Sequence, residues 1–276
     1  MKPQSISEKL MFTTVKLTTT DHQSSGTGFF FDYSFSEGKV PVLITNKHVV
    51  RDNPNESMLF QIHTTNDGET PSGNIVIEYN ALWHFHENHD ICFAFVGGIL
   101  EELEEKHNIK VLLSRIDEDL IWSDHKLSEL NAIEDLVMVG YPIGLYDEIN
   151  NYPIFRKGTS ASHPAIDFNS TGIGLMDMPC FPGSSGSPVF LLNEGSYSDK
   201  KGTLIAGNRI IFIGILFGGP LLTINGRIEI VNIPTRQELF AQTPIMINLG
   251  FYVKAHEILK MKPLVENELR ARELIK

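Results

Sequence analysis

Two clusters of short β-branched and aromatic runs constrain the fold of this 276-residue chain more than any other feature. The first cluster comprises residues 12–17, 28–33, 40–45, 73–79 and 91–96. The second comprises residues 136–139, 154–160, 172–175, 189–192 and 210–217. Turn residues separate the runs, and the first cluster contains no convincing helical pattern, so antiparallel pairing is favoured over βαβ units. The sequence therefore predicts an all-β protein built from two packed barrels or sandwiches.

The sequence outside these runs predicts one hairpin and one terminal helix. Asn225-Gly226 lies between apolar runs at 221–224 and 227–230, which indicates a tight β-hairpin at that dipeptide. Near the end of the chain, apolar residues at helical spacing predict a helix that is interrupted or restarted near Pro263. These apolar residues are Ile258, Leu259, Met261, Leu264 and Leu269.

The same pattern predicts how the chain is divided. Residues 8–108 form a first barrel, residues 109–131 a connector, residues 132–254 a second barrel, and residues 255–276 a helical segment. The Glu-rich segment 99–108 at the end of the first unit is expected to be a solvated helix or loop. An acidic docking surface is the alternative interpretation of that segment.

Charge and cysteine content exclude several classes of function. The chain has 23 basic and 34 acidic residues, a net charge of −11, so nucleic acid and anionic membrane are not expected partners. No apolar run approaches the roughly 20 residues that span a bilayer. Residues 1–10 lack the apolar stretch of a secretory signal, and two cysteines are too few for a disulfide framework. We therefore expect a cytoplasmic protein with free, buried thiols and no cofactor.

The segment 182–189 contains the best candidate nucleophile, Ser185. Gly183 lies two positions before it and lets the backbone bend, so that the amides of Gly183 and Ser185 can face one developing oxyanion. Gly186 and Ser187 are expected to leave room for a substrate backbone. The elbow of α/β-hydrolases does not fit, because its last glycine is replaced by Ser187 and a strand pattern follows. A glycine–serine turn without chemistry is the alternative.

A candidate base and a candidate orienting acid lie in the first cluster. His48 follows an apolar strand, and Asp90 stands at the start of a buried strand, where it can hydrogen-bond the imidazole and fix its tautomer. The order histidine, aspartate, serine is one of the known orders of a hydrolytic triad. Because His48 and Asp90 belong to the first cluster and Ser185 to the second, the site is predicted in the cleft between the two barrels.

Six short segments then follow one another in a fixed order along the chain. They are GTGFF (26–30), TNKHVV (45–50), HDIC (89–92), VMVGYPIG (137–144), GSSGSP (183–188) and NLGFYV (248–253). These segments resemble those of the trypsin-like serine peptidase superfamily, and specifically its bacterial HtrA-type and glutamyl-endopeptidase-type branches. The resemblance implies two packed six-stranded antiparallel β-barrels with a C-terminal helix. It also implies a serine endopeptidase that cleaves polypeptide substrates through His48, Asp90 and Ser185.

The sequence departs from the family pattern in two respects. Ser184 stands where digestive trypsins have an aspartate that pairs with a freed N-terminus, so the usual zymogen switch is expected to be absent. No PDZ module is expected after the last strand, so regulation by such a module is not carried over. The peptidase activity would then be restrained by narrow specificity, by an unformed oxyanion hole or by a regulatory protein partner.

The resemblance also indicates which residues line the pocket for the substrate's P1 side chain. Pro179 stands where trypsins have an acid, and Leu216 stands where glutamyl endopeptidases have a histidine, so neither basic nor acidic P1 residues are expected. Leu216 and Phe217 with Cys180 therefore predict a pocket for a small-to-medium apolar P1 residue. The predicted pocket residues are Pro179, Cys180, Leu216, Phe217, Gly218 and Gly219.

Two other functions compete with the peptidase interpretation. His84 and His86 share one strand face and, with Glu87 or His89, match ligand types that bind zinc. The simpler interpretation is a polar loop beside the catalytic acid, and no metal is expected. The second competitor is a catalytically silent scaffold that binds proteins. The presence of all three triad residues and of the oxyanion glycine argues against it.

Overall fold

Strands dominate the computed structural model, which describes residues 2–142, 145–228, 239–246 and 248–273. The first half forms a nine-stranded sheet in the order β5-β4-β1-β2-β3-β7-β6, with β8 beside β4 and β9 beside β2. Its strands are β1 (Thr14–Thr19), β2 (Ser25–Phe35), β3 (Gly38–Thr45), β4 (Met58–Thr65), β5 (Pro71–Tyr79), β6 (His84–Phe85), β7 (Cys92–Phe95), β8 (Val111–Leu112) and β9 (Ile116–Asp117). Neighbouring strands are antiparallel, except for the parallel pair β2 and β9.

The second half closes into a barrel of six antiparallel strands, in the order β10-β11-β12-β19-β16-β13. These strands are β10 (Asp135–Gly140), β11 (Ile154–Ser160), β12 (Ile173–Asp177), β13 (Pro188–Asn193), β16 (Arg209–Gly218) and β19 (Leu249–Lys254). Two separate ribbons, β14–β15 and β17–β18, lie outside the barrel. Their strands are β14 (Ser196–Ser198), β15 (Leu204–Ala206), β17 (Leu221–Ile228) and β18 (Leu239–Met246).

Helices are few among the described residues. They are α1 (Ile6–Leu10), α2 (Gly97–His107), α3 (Asp124–Leu127), α4 (Ala255–Leu259) and α5 (Lys262–Ala271). Every residue of α2 is at least partly exposed to solvent, as expected for a solvated helix. Within the described part of the chain, no helix is both long enough and apolar enough to cross a bilayer.

The two halves share one hydrophobic core, and the consecutive phenylalanines of β2 explain why. Phe30 points into the core that the first sheet encloses, whereas Phe29 and Phe31 point to the opposite face. On that face they meet Phe190 and Phe212 of the second barrel, and the ring centroids of Phe29 and Phe212 are 5.4 Å apart. Because both faces of β2 are covered, its apolar run is continuous rather than alternating.

The C-terminal helices close this shared core. Pro263 occupies the first turn of α5, where the missing N–H costs nothing, and the helix breaks just before it. Val265 and Leu269 of α5 are buried in the shared core. The Tyr33 hydroxyl on β2 donates a 2.8 Å hydrogen bond to the carbonyl of Ile258 on α4. The predicted interruption of the helix near Pro263 is confirmed.

The predicted fold is confirmed, with a difference in the first half. The second half is the predicted six-stranded barrel. In the first half the short strands β6, β8 and β9 add to six longer ones. Two of them, β8 and β9, come from the segment 109–131 that the sequence predicts as a connector, and β4 lies in a stretch for which no strand was predicted. The proposed domain boundaries stay a prediction.

The predicted hairpin at Asn225-Gly226 is wrong. Strand β17 continues through both residues, which pair with Gln242 and Ala241 of β18. A two-residue turn would leave only the short flanking runs to pair, whereas the observed register pairs eight residues with eight. The longer ladder of backbone hydrogen bonds therefore outweighs the local turn preference. The connection between the strands falls at 229–238, outside the described residues.

Truncation of α5 tests its role in the shared core. Leu269→Ala should lower the free energy of unfolding by about 2–5 kcal/mol, because it leaves a cavity among buried residues. Leu264→Ala is the matched control: the same truncation at a side chain that is 40% exposed should cost less than about 1 kcal/mol. Urea unfolding curves measure both, and equal losses would contradict the packing described.

Candidate active site

His48 and Asp90 are brought together by two neighbouring strands. Strands β3 and β7 pair with Thr45 opposite Cys92, so the residues that follow β3 meet those that precede β7. His48 lies in a short 3-10 turn after β3, and its Nδ1 is 2.5 Å from Asp90 Oδ2. The backbone N–H of His48 donates to Asp90 Oδ1 at 3.2 Å. The carboxylate therefore holds both the ring and the backbone of the histidine.

This pairing determines which ring nitrogen is free to act as a base. A carboxylate accepts hydrogen bonds, so Nδ1 of His48 carries the proton and Nε2 keeps its lone pair. The His48 side chain is 44% exposed, so Nε2 can be reached from solvent. The side-chain amide of buried Asn46 donates to the backbone carbonyl of Asp90 at 2.5 Å and so restrains the Asp90 backbone. The pair therefore has the geometry of a base and its orienting acid.

The turn that contains Ser185 presents two unused amides. Within residues 181–187, the amides of Ser184, Gly186 and Ser187 donate to carbonyl oxygens at 3.0, 2.9 and 3.0 Å. The amides of Gly183 and Ser185 donate to no acceptor among the residues that the structure describes. Gly183 has a φ of +86°, a conformation that favours glycine. These are the two amides that the sequence predicts for an oxyanion hole.

The first sheet holds this turn through Thr27, which is fully buried. Its N–H donates to the Ser185 carbonyl at 2.8 Å, and its hydroxyl donates to the Gly183 carbonyl at 3.1 Å. The same hydroxyl accepts from the N–H of Tyr141 at 3.1 Å. Thr27 thus holds both Gly183 and Ser185 from the opposite half of the molecule. Sequence reasoning missed this role, because the hydroxyl contact joins residues 156 positions apart.

Gly186 and Ser187 do not leave room for substrate, and that expectation is wrong. A Cβ atom on Gly186, whose φ is +86°, would overlap the carbonyl oxygen of Thr27. Ser187 is fully buried, and its hydroxyl lies 3.2 Å from that of Thr27. Both residues are small because the turn packs against the first sheet.

Ser185 comes close to the histidine-bearing turn at Gly26. A Cβ atom on Gly26 would clash with Val49, the residue after His48, and would lie 3.1 Å from the Ser185 carbonyl. In the described part of the chain, the hydrogen bonds join His48 to Asp90 and Ser185 to Thr27, and none joins the Ser185 hydroxyl to His48. The turns that carry His48 and Ser185 therefore both lie against Gly26, at the seam between the two halves.

The predicted pocket residues divide between the barrel interior and its rim. Cys180 and Leu216 are buried and meet at Gly250, where a Cβ atom would contact Cys180 Sγ and lie 3.2 Å from Leu216 Cδ1. Burial raises the pKa of Cys180 to about 11, so its thiol stays protonated at neutral pH. The other predicted pocket residues are partly exposed: Pro179, Phe217, Gly218 and Gly219.

One cation lies beside the predicted pocket. The half-buried guanidinium of Arg156 lies 4.8 Å from the ring centroid of Phe181, the residue after Cys180. Sequence reasoning missed this cation.

Cys92, the second cysteine, is free and buried, as predicted, and burial raises its pKa far above the usual value. Neither thiol is therefore activated as a nucleophile.

The histidines near Asp90 are arranged for packing and hydrogen bonding rather than for zinc. His84 stacks on Phe93, with ring centroids 4.9 Å apart. His86 Nδ1 accepts from the amides of Asn88 and His89 at 3.1 and 3.0 Å, so the ring proton sits on Nε2 and the lone pair that a metal needs there is lost. Within the described ranges, no three His, Cys, Asp or Glu side chains form a metal-binding group.

Three solved structures resemble the chain at low identity. One is Deg5, at 14% identity over 76% of this chain and 81% of that one, with a TM-score of 0.45. Another is a thermostable serine protease, AL20, from an extremophilic microorganism, at 13% identity over 90% and 93% of the two chains, with a TM-score of 0.45. A third is the scabies mite inactivated protease paralogue S-I1, at 12% identity over 96% and 99%, with a TM-score of 0.48.

A family model gives a more direct assignment. No curated protein sequence matches the chain significantly. Residues 26–197 match the family described as trypsin-like peptidase domain, and this range includes His48, Asp90 and Ser185. The match spans more than half of the chain and agrees with the six-stranded barrel and with the oriented histidine. The chain therefore belongs to the trypsin-like peptidase domain family.

Proposed function

We propose that the protein is a serine endopeptidase that hydrolyses peptide bonds through a His48–Asp90–Ser185 triad. The observation that carries the proposal is the 2.5 Å contact between His48 Nδ1 and Asp90 Oδ2, which leaves Nε2 basic at the seam that Ser185 borders. The two unused amides of the Ser185 turn support it further. Family membership makes a polypeptide the expected substrate.

The proposed reaction is acyl transfer in two halves. The Ser185 hydroxyl attacks the substrate carbonyl carbon while His48 Nε2 takes its proton, and Asp90 stabilises the imidazolium that forms. The carbonyl oxygen becomes an oxyanion, which the amides of Gly183 and Ser185 stabilise by about 3–4 kcal/mol per donor. His48 then protonates the leaving amine as the C–N bond breaks. Water repeats the sequence on the acyl-enzyme and releases the acid.

A catalytically silent scaffold remains the second candidate, because one observation favours it. Among the described residues, the Ser185 hydroxyl makes no hydrogen bond to His48. In free enzymes this contact is often long and tightens only when substrate binds, so the peptidase proposal stands beside this observation. Labelling by a serine-directed probe separates the two candidates.

Substitution of the triad tests the proposal directly. Ser185→Ala and His48→Ala should abolish turnover of a peptide substrate with no change in circular dichroism, since each removes a reacting group. Asp90→Asn should lower kcat by about 10⁴-fold through the wrong imidazole tautomer. Initial rates on a fluorogenic peptide and labelling by a fluorophosphonate give the measurement.

Ser184→Ala is the matched control for the triad substitutions. Its hydroxyl is buried next to the proposed nucleophile and lacks a partner among the described residues, so labelling should persist. A folded wild-type protein that the fluorophosphonate does not label would favour the silent scaffold instead.

Cleavage-site profiling tests the proposed P1 preference. The uncharged pocket predicted around Leu216, Phe217 and Cys180 should favour a small-to-medium apolar P1 residue. Sequencing of products from a peptide library gives the preference. A dominant basic P1 residue would contradict the prediction. A dominant acidic P1 residue would also contradict it. If the Arg156→Met variant then lost the acidic preference, the Arg156 cation would be identified as its determinant.

Thr27→Val tests whether the first sheet holds the oxyanion turn. Valine keeps the shape but leaves the Tyr141 amide without its acceptor, which should cost about 1–3 kcal/mol of unfolding free energy. Because the Gly183 carbonyl is also released, kcat should fall more than KM changes. Thr27→Ser keeps the hydroxyl and should retain both properties. Equal kcat in the two variants would contradict the proposed role.

A further inference from the structure

A buried carboxylate on α4 faces the turn that carries Asp90. Glu257 is only 3% exposed, and its Oε2 lies 3.5 Å from Nε2 of His86 and 3.5 Å from Nε2 of His89. His89 is the residue immediately before Asp90. The helix therefore touches the proposed triad through a single intervening turn, at residues 86–91.

The Glu257 carboxylate is held in place on its other side as well. Its Oε1 lies 2.8 Å from Lys260 Nζ and 2.9 Å from His256 Nε2. Gly172, with a φ of +68°, lets the second barrel approach so closely that a Cβ atom there would lie 2.5 Å from the same oxygen. A buried charge must be paired, and both oxygens of this carboxylate have partners. The carboxylate is thus a fixed anchor point.

The ring of His86 organises the turn from within. Its Nδ1 accepts from the amides of Asn88 and His89 at 3.1 and 3.0 Å, as an Asn or Asp side chain does in an Asx turn. The backbone N–H of His86 donates to the Ile91 carbonyl at 3.0 Å. With Nδ1 as acceptor, Nε2 carries the proton and points to Glu257. The Asp90 backbone is therefore fixed between this ring and Asn46.

The charges around His86 maintain this protonation state. Burial lowers the pKa of His86, and the nearness of His89, Lys47 and Lys260 disfavours a proton there further, while Glu257 opposes them. Burial lowers the pKa of His89 in the same way. Both rings are thus neutral at neutral pH, as acceptance by Nδ1 of His86 requires.

Glu257 itself is ionised. Burial acts to raise the pKa of Glu257, but the hydrogen bond from Lys260 and the neighbouring basic groups outweigh burial and lower it. The anchor is therefore an anion that faces N–H donors.

We propose that Glu257 and His86 are positioning residues for the catalytic acid: they hold the turn that presents the Asp90 carboxylate to His48. The inference rests on the proposed peptidase function and deepens it. Neither residue belongs to the proposed triad or to the predicted pocket, so their removal should change the rate of the chemical step while substrate binding stays as it was.

The decisive experiment is a double-mutant cycle in the full-length protein. Glu257→Ala should lower the rate constant for fluorophosphonate labelling by up to about 100-fold, because a displacement of about 1 Å in a catalytic group has that effect. It should lower kcat on a fluorogenic peptide with little change in KM. In the Asp90→Asn background, Glu257→Ala should cause no further loss, because the group through which it acts is already disabled.

Glu268→Ala is the matched control. This α5 carboxylate faces His84 at 3.8 Å, so the variant removes a helix-to-histidine contact of the same kind outside the 86–91 turn. Its labelling rate should equal that of the wild type. Thermal unfolding followed by circular dichroism confirms that each variant is folded at the assay temperature. Equal fold losses from Glu257→Ala in the wild-type and Asp90→Asn backgrounds would show a general structural effect and overturn the inference.

Two substitutions of His86 separate acceptor geometry from side-chain bulk. His86→Asn keeps an acceptor for the two amides and should retain most of the wild-type rate at neutral pH, whereas His86→Leu should lose it. In the wild type, burial of the 86–91 turn lowers the pKa of His86, so His86 binds a proton more readily when the turn is displaced from its place against α4. As the pH falls below about 6.5, the usual pKa of histidine, protonation of His86 therefore favours the displaced turn. The acid limb of kcat/KM should therefore be shallower in His86→Asn than in the wild type.

The design separates failure of this inference from failure of the proposed function. If the folded wild-type protein is not labelled, the peptidase proposal fails and the inference fails with it. If the wild type is labelled and the Glu257→Ala variant is labelled at the same rate, the inference alone is overturned. Equal rates for His86→Leu and His86→Asn at neutral pH would also overturn it.

Discussion

The site depends on the hydrogen bonds by which Thr27, on the first sheet, holds the turn of the second barrel. The candidate base and its orienting acid come from one half, and the candidate nucleophile comes from the other. Their relative position is therefore determined where the halves meet. Buried hydrogen bonds suit this task, because both partners lose water and an unmade bond is costly. The glycines at 26 and 186 let the two backbones approach this closely.

A second constraint acts on the acid. Asp90 lies on a tight turn rather than in a strand, and a turn without support would leave the carboxylate free to move. Asn46 holds the carbonyl of Asp90, and the ring of His86 holds the amide of His89, the residue before it. Glu257 then joins this turn to the C-terminal helices, which pack on the shared core. Orientation of the acid is thus coupled to packing at some distance from it.

The sequence predicted the parts of the fold and site that have local signals. The two strand clusters, the candidate triad and the oxyanion glycine each have a residue type or a spacing that indicates them. The role of Thr27 and the pairing of Glu257 with His86 depend on residues far apart in the chain, and no local pattern reports such contacts. At Asn225-Gly226 the local turn signal was present but was outweighed by long-range strand pairing.

The packing of α4 and α5 on the shared core has a consequence for biosynthesis. A chain that grows from its N-terminus on the ribosome acquires His48, Asp90 and Ser185 before it acquires these helices. Until they emerge, Tyr33 lacks the carbonyl that its hydroxyl engages, and the core between the halves lacks one wall. A nascent chain therefore carries all three residues of the proposed triad before it carries the helices that pack behind them.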